Sequence, residues 1–136
     1  MLLSALLLGG CSSASMPDLE DSAQASAPPV GIAQPVELTP EQRADIEKGV
    51  QKRLKEPDSA VFGSINARIS RNTSQSYIVC GWVNAKAIGE YAGYAPFIAI
   101  YVPKMRVALL VGMGIDEPQT RAVRQRCSDE GVPLDV

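Results

Sequence analysis

The chain has 136 residues, 46% of them apolar and 21% charged, with a formal net charge of −2. That length sets one domain with a modest core as the expectation, and the near-neutral balance implies no broad basic surface for nucleic acid. There are no histidines, which excludes Ser-His-Asp and Cys-His nucleophile pairs and removes the commonest metal ligand. The three cysteines are an odd number, and no run of about 20 apolar residues exists to cross a membrane as a helix.

The first ten residues read M-L-L-S-A-L-L-L-G-G and lead into Cys11. They are too few to span a bilayer but fit the apolar region of a signal peptide. Small residues directly before the cysteine suit a peptidase that needs an extended, uncrowded backbone. The L-G-G-C string resembles the lipobox of bacterial lipoproteins. That resemblance implies that Cys11 becomes the new N-terminus and carries lipid, so that the chain meets the membrane through a lipid anchor. The alternative is an N-terminal helix with a free thiol. No Lys or Arg precedes the apolar run, although signal peptides have a basic start; the expectation is a translation start further upstream. Ser12 follows the cysteine, where aspartate tends to hold enteric lipoproteins at the inner membrane. Serine therefore implies the outer membrane, on its periplasmic face.

Residues 12–38 hold five Ser, five Ala and four Pro, no aromatic residue, and only acidic charges (Asp18, Glu20, Asp21 and Glu37). Such a segment buries too little surface to offset its ordering entropy, so 11–38 is expected to be a lipidated cysteine and a disordered tether. A partner-binding segment is the other reading.

Order is expected over 39–136, as an α+β domain. Thr39-Pro40-Glu41-Gln42 is a helix start: Thr caps, Pro suits the first turn and Gln42 completes a capping box. Ile46, Val50 and Leu54 make one apolar stripe, and Pro57 ends the helix. Four strands follow in sequence, at 60–69, 76–84, 96–102 and 105–113. The second is apolar on both faces, as a central strand should be. Asp116 caps a last helix over 117–130, with Gly131 past its end. The reading is helix, four-stranded antiparallel meander, helix, in two layers.

With Cys11 assigned to lipid, Cys80 in the second strand and Cys127 in the last helix are left as a pair. An exported domain can oxidise them, which would pin the last helix to the sheet face carrying Ile78 and Trp82. The alternatives are two buried thiols or a redox pair, but the close C-x-x-C spacing usual for redox chemistry is missing.

The stretch from Cys80 to Phe97 holds glycines, tyrosines, a lysine and a glutamate between two strands. Trp82, Asn84, Lys86, Tyr91 and Tyr94 are its candidate binding residues, because Tyr and Trp combine apolar area with a polar tip. The bland alternative is a wide connection whose tyrosines cover the core edge. Together with Leu54-Lys55-Glu56-Pro57-Asp58-Ser59-Ala60-Val61-Phe62, it resembles a family of small uncharacterised bacterial proteins, many of them exported or lipidated. Their pattern is L-K-D-P-[DE]-S-A-x-F, then C-G-x-V-N-A-K-N, then G-G-Y-x-G-[YF]-x-x-F. The chain departs from it at Glu56, Ala87 and Glu90. The resemblance covers 54–97 and implies no particular activity.

Other signals are weaker. Gly112-Met113-Gly114 lacks the third glycine of a dinucleotide site, so no cofactor is expected. Asp116-Glu117 and Asp129-Glu130 suit helix ends better than a metal. Arg121, Arg124 and Arg126 read as a solvated helix face. The expectation is therefore a non-enzymatic outer-membrane lipoprotein with a small periplasmic domain that binds an envelope protein or glycan. The alternative is an inhibitor or immunity-type module acting on an envelope hydrolase or competing element. A final point concerns charge: residues up to Leu38 carry −4, while the rest, with 13 basic and 11 acidic residues, carries +2.

Overall fold

The structure is a computed structural model that describes residues 34–134. The expected signal sequence, Cys11 and most of the expected tether lie outside the described residues. The described part is α+β, with an antiparallel sheet and two helices. In chain order it comprises β1 (Pro35–Val36), α1 (Pro40–Gln51), a short 3-10 turn (Pro57–Ser59), β2 (Val61–Ile69), β3 (Tyr77–Asn84), β4 (Lys86–Ala87), β5 (Glu90–Tyr91), β6 (Ala95–Val102), β7 (Val107–Met113) and α2 (Glu117–Asp129).

The main sheet has five strands in the order β1-β2-β3-β6-β7, all antiparallel. The expected four-strand meander is present as β2, β3, β6 and β7. Two corrections concern the count. A separate two-stranded hairpin, β4–β5, forms inside the long connection. A further strand, β1, sits at the sheet edge within the stretch read as tether. Pro35 opposes Arg68 and Val36 opposes Ala67. An edge position tolerates a proline because no ladder bond is needed on its outer side. Val36 and Leu38 pack against the core, which holds this segment in place.

Helix α1 begins as expected. The Thr39 hydroxyl accepts from the Gln42 N–H at 3.1 Å, and the Thr39 N–H donates to the Gln42 side chain at 3.1 Å. It ends at Gln51, earlier than the proline stop at 57. Arg53 and Leu54 donate to Val50 and Gln51, so the chain tightens into three-residue turns before Pro57. Helix α2 is capped by the Asp116 carboxylate, which accepts from the Gln119 N–H at 2.8 Å.

The layering also differs from the two layers expected. Residues Val79 and Val83 of β3, with Phe97, Ala99 and Tyr101 of β6, pack beneath Ile46 and Val50 of α1. Their neighbours Cys80 and Ile98 point the other way, toward Val123 and Cys127 of α2, with Ile78 and Trp82 alongside. Each face of the sheet therefore carries one helix. A strand apolar on both faces needs cover on both, because its side chains alternate. The second cover is fixed covalently: Cys80 and Cys127 form a disulfide with a Cα–Cα distance of 6.2 Å, and both residues are fully buried.

Glycine sets how closely α1 lies on the sheet. A Cβ at Gly49 would stand 2.5 Å from the Ala108 carbonyl oxygen. Nearby, the Asp45 carboxylate accepts from the Tyr101 hydroxyl at 2.8 Å and from Arg106 at 3.0 and 3.1 Å. The Arg106 guanidinium, and then the Tyr101 hydroxyl, hold the Asp45 carboxyl below the usual carboxylate range. Burial, and then the Asp45 hydrogen bond, push the Tyr101 phenol up to about 12. This cluster ties α1 to the β6–β7 turn.

Candidate functional site: a cleft beside a moored hairpin

The β4–β5 hairpin turns through Ile88 and Gly89, with φ of 56° and 82°. Positive φ at both central residues is the turn that matches strand twist, and it favours Asn-Gly. The hairpin is moored to the turn that follows α1. The Ser59 hydroxyl accepts from the Lys86 N–H at 2.8 Å and donates to the Glu56 carbonyl at 2.7 Å. The Glu56 carboxylate accepts from the Gly89 N–H at 2.7 Å, and the Tyr91 hydroxyl donates to the Ser59 carbonyl at 3.1 Å. The Asn84 side-chain oxygen accepts from the Gly93 N–H at 3.1 Å. Residues 54–62 and 80–97, the two stretches that carry the sequence resemblance, thus touch in the fold.

The five candidate binding residues do not form one surface. Trp82 points to the α2 face, where the Arg124 guanidinium lies 5.9 Å from its ring centre. Asn84 fixes the loop through its carboxamide. Tyr91 is half-exposed, with its hydroxyl engaged on Ser59 and its ring under the Lys86 ammonium at 5.4 Å. Tyr101, the next tyrosine along the chain, is 1% exposed and belongs to the core. Lys86 and Tyr94 alone of the five line a cleft.

That cleft encloses about 430 Å³ and is walled by three separate segments. One is Arg53, Leu54 and Lys55 after α1. The second is the hairpin connection, with Val83 and Ala85 at its base and Lys86 and Tyr94 at its side. The third is Met113, Gly114 and Ile115 at the end of β7. Its volume lies within the common range for small-molecule sites, roughly 300–1,000 Å³. Arg53, Lys55 and the β7 end were not singled out by sequence reasoning. Their signal was faint: a basic run after a helix is first read as dipole compensation.

Gly114 is required where it stands. Its N–H donates to the Pro96 carbonyl at 2.9 Å, and a Cβ there would meet Thr120 at 2.5 Å. The α2 start therefore packs against the segment that closes the cleft. Chemically the arrangement supplies fixed positive charge, apolar contact and one phenol. Among the described residues no three His, Cys, Asp or Glu side chains gather to hold a metal, and no helix is long and apolar enough to cross a membrane. No protein-family model, no curated protein and no solved structure matches the chain.

Proposed function

We propose that the chain is an exported bacterial protein, lipid-anchored through Cys11 to the periplasmic face of the outer membrane. Its disulfide-stapled domain acts as a binding module rather than an enzyme. The observation that carries this is the allocation of the cysteines. The Cys80–Cys127 bridge uses two of the three. A buried structural disulfide belongs to an oxidising compartment, and the remaining cysteine is the one behind the L-G-G string. Export and oxidation thus support each other. The absence of histidine argues against the common nucleophilic machinery, and the cleft beside the hairpin offers room for a ligand.

The test is lipid labelling, in a bacterial host, of the protein expressed from its own gene with the upstream start included, and with Cys11→Ser as the control. Incorporated label that disappears in the variant, with release of the protein from the membrane fraction, supports the reading. An unlabelled wild-type chain in the soluble fraction overturns it.

One observation favours the second reading, an inhibitor or immunity-type module. Ile88 is 89% exposed at the hairpin tip and holds a positive φ, an outlier for a β-branched residue. Beside the half-exposed Tyr91, it presents an apolar tip of the kind that fills a partner's pocket. That reading expects a tight soluble protein complex that is lost on Tyr91→Ala or Tyr94→Ala.

A further inference from the structure

Arg43 pairs with Glu47 and Arg106 with Asp45. Arg53, Lys55 and Lys86 all line the cleft, and among the described residues none of the three makes an ion pair and no aspartate or glutamate lines it. Three like charges around one concavity repel one another and are relieved by an anion. The α1 dipole accounts for positive charge after its last turn. It does not account for Lys86, which comes from the hairpin. The Lys86 ammonium rests over the ring of Tyr91, a residue outside the cleft lining, so Lys86 borders the cleft from the hairpin side.

Apart from the Tyr94 phenol, the other side chains of the cleft are apolar. Leu54, Val83, Ala95 and Met113 line it, and Ile115, 76% exposed, stands at its end. An inorganic ion alone would leave that surface wet. We infer that the cleft takes a small amphiphilic anion, a carboxylate or phosphate head on an apolar body. The head is drawn to the basic residues that border the cleft, and the body lies between the hairpin and the end of β7. This rests on reading the domain as a binding module, and it names the ligand class.

The experiment titrates the purified full chain by calorimetry with octanoate, dodecanoate, phenylpropionate, octyl phosphate, uncharged octyl glucoside and inorganic phosphate. Octanoate and octyl phosphate are expected to saturate one site. Octyl glucoside and inorganic phosphate should bind at least tenfold more weakly. Lys86→Gln keeps the backbone N–H that holds the hairpin, and Arg53→Gln lies outside the core. Each variant should weaken octanoate binding by about tenfold (about 1.4 kcal/mol) while the cooperative melting transition is kept, Lys86→Gln showing only the small fall that follows from losing the Tyr91 contact. Affinity that rises from octanoate to dodecanoate assigns a lipid-derived ligand, and preference for phenylpropionate assigns an aromatic metabolite. Equal binding of octyl glucoside and octanoate overturns the anionic head but leaves a binding module. Phosphate binding as tightly as octyl phosphate overturns the apolar body. Saturation by none of the probes overturns the anion assignment and the cleft as the binding site together, whereas the lipid-labelling outcome stands apart from all of these.

Discussion

Gly49→Ala gives the sharpest check on how α1 meets the sheet. In an isolated helix the change favours folding by about 1 kcal/mol, because alanine is the better helix former. In this fold the new Cβ would stand 2.5 Å from the Ala108 carbonyl oxygen, 2.8 Å from its Cβ and 3.1 Å from its carbonyl carbon. The obstacle is backbone, so no side-chain rotation relieves it, and α1 must lift by roughly 1 Å to reach ordinary contact. Lifting loosens Ile46 and Val50, both fully buried beneath the helix. Overpacking of this kind costs about 1–3 kcal/mol, and loosened contacts beneath the helix add to that. The expected net loss is about 1–2 kcal/mol after the propensity gain. Urea denaturation at constant m-value reads it directly, with a fall in Tm of about 4–8 °C per kcal/mol for a domain of this size. Adding Ala108→Gly removes the Cβ contact but not the carbonyl, so rescue should be partial. A Gly49→Ala protein about 1 kcal/mol more stable than wild type would refute the close approach.

Three further outcomes are expected. Replacing both bridge cysteines by alanine should cost about 4 kcal/mol in the chain-entropy model for a loop of this length, measured by chemical denaturation; a loss below 1 kcal/mol would show that packing alone holds α2. Raising pH should weaken the domain as it passes through the Tyr101 titration. Its folded pKa of about 12 lies above the ordinary phenol value of 10.0, so its contribution is complete below 10 and is lost progressively as pH rises through about 12; Asp45→Asn should lower the phenol titration seen by ultraviolet absorbance, and an unmoved titration would sink the Asp45 contact. Ile88→Asn should stabilise the hairpin by about 1 kcal/mol, since asparagine accepts positive φ in such a turn. Stability gained without change in any partner complex would count against the tip as a contact.

Much of the fold was legible because its rules are local. The Thr39 box, the Asp116 cap and the alternation of β2, β3, β6 and β7 are all set by neighbours in sequence. What escaped depends on partners far along the chain. Strand β1 is two residues long and carries a proline, so no pattern marks it. It forms because β2 offers Ala67 and Arg68 as partners and because Val36 and Leu38 find the core. The second apolar face of β3 is visible in its sequence, but the element that covers it, α2, lies more than thirty residues further along the chain. Helix propensity alone makes Gly49 a weak point, whereas its role is set by Ala108, almost sixty residues away.

The site was legible only in part for a related reason. Clustering in sequence grouped Trp82, Asn84, Lys86, Tyr91 and Tyr94, but strand alternation separates them. Within β3, Trp82 lies on the α2 side, while Val83, next to it, points to the opposite face and lines the cleft. Beyond β3 the loop folds back on Glu56 and Ser59, and this spends Asn84 and the Tyr91 hydroxyl on holding the backbone. Only Lys86 and Tyr94 of the group then reach the cleft. The other charges come from the end of α1, where early tightening after Gln51 carries Arg53 and Lys55 to the cleft wall. Had the helix run on to Pro57, a straight rod would have placed those residues differently with respect to the hairpin. The early end of α1 and the mooring of β4–β5 are therefore one design: the turn that stops the helix is the turn that holds the hairpin, and the cleft is the space they share with the end of β7.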